Sequence, residues 1–143
     1  MLHNLFITND KIGVQFIANS TRNEFANNVL VGVTIADGAV ASNPSALLML
    51  VDDTVGENVY RSNLYVSGRL EGREPDANEL REDEFVAEWF KNFPAALNDD
   101  PNDFTPTAGA PFLAKGKLSP AAPLDRNGKA REGKVDLGPI EID

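Results

Sequence analysis

The sequence predicts a mainly β protein, an antiparallel β-sandwich or small barrel with one amphipathic helix over about residues 76–93 and an extended C-terminal arm. Three observations carry that expectation. Short apolar, β-branched runs alternate with Asn, Asp and Gly over residues 1–70. One stripe of helical period follows Asp76. Beyond residue 95 the chain becomes rich in proline and glycine, with six of its nine prolines after residue 100.

The runs Leu2 to Ile7 and Ile12 to Ala18 flank Thr8-Asn9-Asp10-Lys11, whose Asn and Asp suit a tight turn, so the pair reads as a hairpin. Thr21 and Glu24 have capping-box spacing within the polar stretch Asn19 to Asn28, which fits a short helix or an Asx-rich loop. Val29 to Ile35 is β-branched and ends at the turn signal Asp37-Gly38. Ala46 to Val51 suits a buried strand by its length, although Asn43-Pro44 could also open a helix. In Val59 to Leu70, Tyr60, Leu64, Val66 and Leu70 share one parity and Arg61, Asn63, Ser67 and Arg69 the other. That alternation describes a strand with one wet face. No long helices separate these runs, which favours antiparallel pairing over βαβ units.

The helix is expected where Asp76 and Glu79 form a capping box behind Pro75. Val86, Trp89, Phe90 and Phe93 then recur at helical spacing, joined by Leu80 and Phe85, before Pro94 stops the run. Such a stripe docks on its own sheet or on a partner.

The chain divides into a β-rich body with its helix, residues 1–94, and an extended Pro/Gly-rich arm, residues 95–143. Frequent prolines deny the arm helices and central strands, because each removes a donor and restrains φ. Apolar residues nevertheless punctuate it: Phe104, Phe112, Leu113, Leu118, Leu124, Val135, Leu137, Ile140 and Ile142. These are the expected partner-binding anchors, able to lie in grooves of the body or of neighbouring subunits.

Composition narrows the function. Without cysteine there are no disulfides, thiolate metal sites or cysteine nucleophile. The longest apolar run is too short to span a bilayer, and no basic-then-apolar leader begins the sequence, so a virion or cytoplasmic location is expected rather than a membrane or secretory one. The net charge of −9 is concentrated in residues 71–103, where eleven acids meet three bases. Nucleic-acid binding is disfavoured, since the body offers no cationic face and no aromatics interleave with the arm's Lys115, Lys117, Arg126, Lys129, Arg131 and Lys134.

The one histidine, His3, cannot build a multi-histidine metal site, and no phosphate-binding, nucleophile-elbow or zinc motif occurs. Asn98 to Asp103 offers clustered oxygens but lacks the glycine and glutamate of a calcium loop. It reads as an Asx turn, as does Asp52-Asp53-Thr54. No catalytic residue, cofactor or metal is therefore expected.

The favoured reading is a non-enzymatic structural protein, of the virus or phage capsid cement or decoration type by architectural analogy, whose arm tethers neighbouring subunits. Its partners would be other protein subunits, in a homo-oligomer or a larger assembly. The basic arm and the acidic 71–103 block could pair between copies. The alternatives are an acidic DNA-mimic inhibitor of a nucleic-acid-binding enzyme and a soluble ligand-binding β-sandwich.

Overall fold

Five times the chain sets a residue of positive φ directly before an asparagine: at Arg22-Asn23 and Glu57-Asn58, with φ of 59° and 55°, and at three corners of a second series, His3-Asn4, Asn27-Asn28 and Ser62-Asn63, with φ of 53°, 56° and 51°. Left-handed backbone in a residue with a side chain is uncommon and bends a strand sharply. In the computed structural model, which describes residues 1–9, 11–36, 39–51, 56–93 and 103–142, these three corners lie one above another. They mark successive turns of a parallel coil of β-strands.

The coil has three walls. The first stacks β1 (Leu5–Asn9), β4 (Val29–Ala36), β8 (Leu64–Val66) and β10 (Leu80–Glu82), all parallel. The second stacks β2 (Val14–Phe16), β6 (Ala46–Leu50) and β9 (Arg69–Glu71), also parallel. The third pairs β3 (Glu24–Ala26) with β7 (Val59–Arg61), again in parallel, and Leu2 bridges to Ala26 below them. Beside the coil, β5 (Ala39–Ser42) pairs antiparallel with β4, and β11 (Phe90–Asn92) pairs antiparallel with β12 (Asp103–Pro106).

Two cores follow from this register. Phe6, Leu30 and Tyr65 stack in one column of the first wall and point inward. Inside they meet Phe25 and Tyr60 of the third wall and Val14, Phe16, Leu48 and Leu70 of the second. The alternate residues Leu5, Val29, Leu64 and Leu80, with Ile7, Val31 and Val66, face outward against Phe90, Phe112 and Leu137. The first wall is thus apolar on both sides, which is why β4 and β8 are continuous apolar runs. Leu47, fully buried, sits at an irregularity in the register between β6 and β9. Gly68 makes room for it, because a Cβ there would lie 2.4 Å from the Leu47 side chain.

The corner asparagines form a ladder. Asn4 Nδ2 donates to Asn28 Oδ1 at 3.1 Å, and Asn28 Nδ2 donates to Asn63 Oδ1 at 3.0 Å. Each accepting oxygen also takes the backbone N–H of the asparagine below, at 2.9 and 3.0 Å. The last step departs from the pattern: Asn63 Nδ2 donates to Glu79 Oε1 at 2.7 Å. A second stack joins Asn23 to Asn58, whose Oδ1 accepts from both the backbone and the side chain of Asn23.

Several expectations are corrected. The mainly β class holds, but the sheets are mostly parallel, not those of an antiparallel sandwich or barrel. The runs 2–7 and 12–18 form no hairpin, because β1 pairs with β4 and β2 with β6. Val59 to Leu70 is not one strand: Ser62 and Ser67, both at positive φ, break it into three pieces on three walls.

No α-helix spans 76–93. Glu79 is drawn into the ladder, β10 pairs with β8, and only a 3-10 turn at Ala87–Trp89 remains helical. Half of the expected capping box does form, with Asp76 N–H donating to Glu79 Oε2 at 2.9 Å, yet sheet pairing overrides local propensity. Val29–Ala36 and Ala46–Leu50 match the expected strands, and 19–23 is irregular rather than helical. Asp37-Gly38, Asp52-Asp53-Thr54 and Asn98–Asn102 lie outside the described residues. No helix among the described residues is long and apolar enough to cross a membrane.

Replacing Asn63 with Ala leaves the amides of Asn28 and the carbonyl of Phe25 without their buried partner. Urea denaturation is expected to show a loss of at least about 3 kcal/mol, against under about 1 kcal/mol for Asn23→Ala in the exposed stack. Equal losses would mean that the inner ladder has no special weight.

Candidate functional site

Buried polar side chains are where chemistry or rigidity is built, and they gather in three places. The first closes the C-terminal end of the coil. Glu79 Oε1 accepts from Asn63 and from Tyr65 Oη, both at 2.7 Å, and Oε2 accepts from Arg73 at 2.5 Å and from the Asp76 amide. Arg73 also lies 4.2 Å over the Tyr60 ring and donates to Tyr65 Oη at 3.1 Å. Burial works against the charge on Glu79, but these donors, Arg73 foremost, hold its carboxyl below the usual range. Burial and the facing Glu79 carboxylate push the Tyr65 hydroxyl well up. Both oxygens of Glu79 are fully engaged, so the group acts as a structural lid.

The second place joins the N-terminus to the arm. Asn27 Oδ1 accepts from the Lys117 amide at 2.9 Å, and Asn27 Nδ2 donates to the Lys117 carbonyl at 2.8 Å. The same Nδ2 lies 3.0 Å from His3 Nε2, which must therefore accept and leave the ring proton on Nδ1. His3 is buried, and desolvation with the nearby Arg131 lowers its pKa to about 4. The Asn27 carbonyl receives the Gly138 amide, so a single corner residue holds the arm at two points.

The third place lies within the arm. Arg131 and Glu141 form a buried ion pair, and Arg131 also donates to the Leu124 and Gly138 carbonyls. Asp136 accepts the amides of Ala114 and Ile142, at 2.7 and 3.0 Å. Asp125 accepts those of Asn127, Lys129 and Glu141 at 2.7–3.0 Å. Burial opposes ionisation of Asp125, yet its three amide donors and Arg131 bring its pKa down. At Glu141, burial with the neighbouring carboxylates prevails and raises it. Carboxylates thus replace the ladder bonds that prolines deny this segment.

The structure disperses the expected anchors. Phe112, Val135, Leu137 and Ile140 are buried inside the chain, and Phe104, Leu113 and Ile142 are partly covered. Leu118 and Leu124 are 51% and 55% exposed. They stand at the ends of a Pro-rich loop, pinned at Lys117 by Asn27 and past Leu124 by Asp125 and Arg131. Exposed Lys115, Lys117 and Arg126 flank it. The open clefts are shallow, such as one of about 340 Å³ beside Lys11, Pro44 and Arg69. Among the described residues no group of His, Asp and Glu is arranged to hold a metal.

Sequence reasoning missed the ladder and its lid. The available signal was the recurrence of Asn, a bulky aromatic two residues on, and Asn again, in Asn23-Glu-Phe25-Ala-Asn-Asn28 and Asn58-Val-Tyr60-Arg-Ser-Asn63. No protein-family model matches the chain, and no curated protein matches it.

The sign of the pH dependence follows from His3. Its folded-state pKa lies below the unfolded value, so stability is full above about pH 6.5 and falls as the pH drops toward 4. Thermal or urea unfolding across this window is expected to show a loss of about 3 kcal/mol at most from this group, reduced in His3→Gln. An unchanged slope in that variant would remove His3 as the cause.

Proposed function

We propose that the chain is a non-enzymatic structural module that associates with other protein subunits, of the capsid cement or decoration type, in a virion or the cytoplasm. The observation that supports this reading is the 118–124 loop. Two prolines and pins on either side hold it in shape, and it offers two exposed leucines beside cations. A loop already ordered loses little entropy on docking, and paired exposed apolar residues are the usual anchors of such contacts.

The charges give the partner surface its sign. Lys115, Lys117 and Arg126 suit an acidic neighbour, and Asp83, Glu84 and Glu88 are exposed on this same chain. Copies therefore associate arm to acidic block, with charge setting register and the leucines adding burial. Within the chain, the other apolar residues of the arm serve its own core.

Sedimentation of the full chain is expected to show association that weakens in about 1 M salt, where the Debye length is about 3 Å. The double variant Leu118→Ser/Leu124→Ser should lose that salt-sensitive association while unfolding at the same temperature as the parent. Association unaffected by both salt and the double substitution would overturn the reading.

A further inference from the structure

The two ends of the coil differ. At the C-terminal end the columns finish on charge: Arg81 follows Tyr65, Arg73 lies over Tyr60, and Glu79 follows Asn63. At the other end, β1 pairs only with β4 among the described residues. The Val29 amide donates to the Asn4 carbonyl. In a parallel ladder this turns the peptide groups of Asn4, Phe6 and Thr8 toward β4, and those of Leu5, Ile7 and Asn9 away from it. None of the Leu5, Ile7 and Asn9 amides donates to a described residue outside the strands.

Natural sheets protect such an edge with lysine, proline, a bulge or a covering segment. Here the edge is Leu-Phe-Ile-Thr-Asn, with regular register and no charge. Residues 1–17 carry Asp10 and Lys11 as their only charged side chains, in a chain of net charge −9. Two copies of so acidic a protein approach with least repulsion where both are neutral. The charged lid prevents the other end from receiving a neutral edge. Head-to-tail stacking is thereby blocked, and the match that remains is open end to open end.

We propose that β1 is a dimer interface, at which two copies join by antiparallel pairing of their β1 edges about a two-fold axis. Such a contact is self-complementary and closes at two copies, so it yields a dimer and not a filament. The amides of Leu5, Ile7 and Asn9 then find the partner's carbonyls. The inference deepens the assembly reading and rests on it only in that copies meet: β1 itself carries no charge, although Arg126 beside the 118–124 loop shares a cleft with Asn4, Leu5 and Ile7.

Light scattering of the full chain in about 1 M salt, which screens the loop contact, is expected to give twice the 15.5 kDa chain mass. Ile7→Pro removes an edge-facing donor without taking a hydrogen bond from β4, and should give a folded monomer. Amide exchange of the parent should show Ile7 protected, and less so on dilution. A monomer in high salt with a fast-exchanging Ile7 amide overturns the proposal, as does a dimer that survives Ile7→Pro. Where Ile7→Pro does not fold, the concentration dependence of Ile7 exchange decides. A parent chain that forms this dimer but shows no salt-sensitive association would defeat the loop reading alone.

Discussion

Everything in this fold depends on satisfying the corner amides of the coil. A short strand that bends after three residues leaves N–H and C=O groups at its ends, and burying them unpaired costs about 1–3 kcal/mol each. Asn4, Asn28 and Asn63 meet that constraint by bonding to each other and to neighbouring backbone. Each link requires the next asparagine directly above, so the ladder also sets the register of all three walls. Glu79 ends the series because a carboxylate only accepts; Arg73 balances its charge and the neutral Tyr65 hydroxyl donates to it.

The double-sided first wall explains the arm. A coil whose outer face carries Val29, Val31, Leu64 and Val66 cannot leave that face in water. Phe90, Phe112 and Leu137 cover it, with Phe90 and Phe112 stacked at 5.5 Å between ring centres. Proline-rich chain makes few ladder bonds of its own, and the carboxylates of Asp125, Asp136 and Glu141 supply acceptors for its amides. The hold of Asn27 on Lys117 and Gly138 then ties the arm to the ladder itself. The N-terminal segment and the arm meet at this corner, where burial keeps His3 neutral.

Local readings succeeded where a strand was long or fully buried. Val29–Ala36 and Ala46–Leu50 are legible from β-branched or apolar runs bounded by turn residues. They failed where strands are three residues long. Leu64, Tyr65 and Val66 are all buried, so the alternation seen in 59–70 has no single wet face. The repeat was obscured because its corner asparagines are separated by 24 and then 35 residues, the β4–β5 excursion falling in the longer interval. The aromatic stripe after Asp76 has helical spacing, yet Phe85, Trp89, Phe90 and Phe93 pack together without an α-helix. Among the arm's apolar residues, burial and exposure were indistinguishable by type: Leu137 is enclosed while Leu118 and Leu124 are open.

Composition alone established the β character, the absence of thiol chemistry, the acidic block and the change of style after residue 95. These depend on residue type and local order. Which strands pair, and whether in parallel, was decided only in three dimensions, because a parallel neighbour lies a full circuit of the coil away and local periodicity does not encode it. The same holds for Glu79. In the sequence it is one acid among twenty-two, and only its place above Asn63 makes it the end of the ladder.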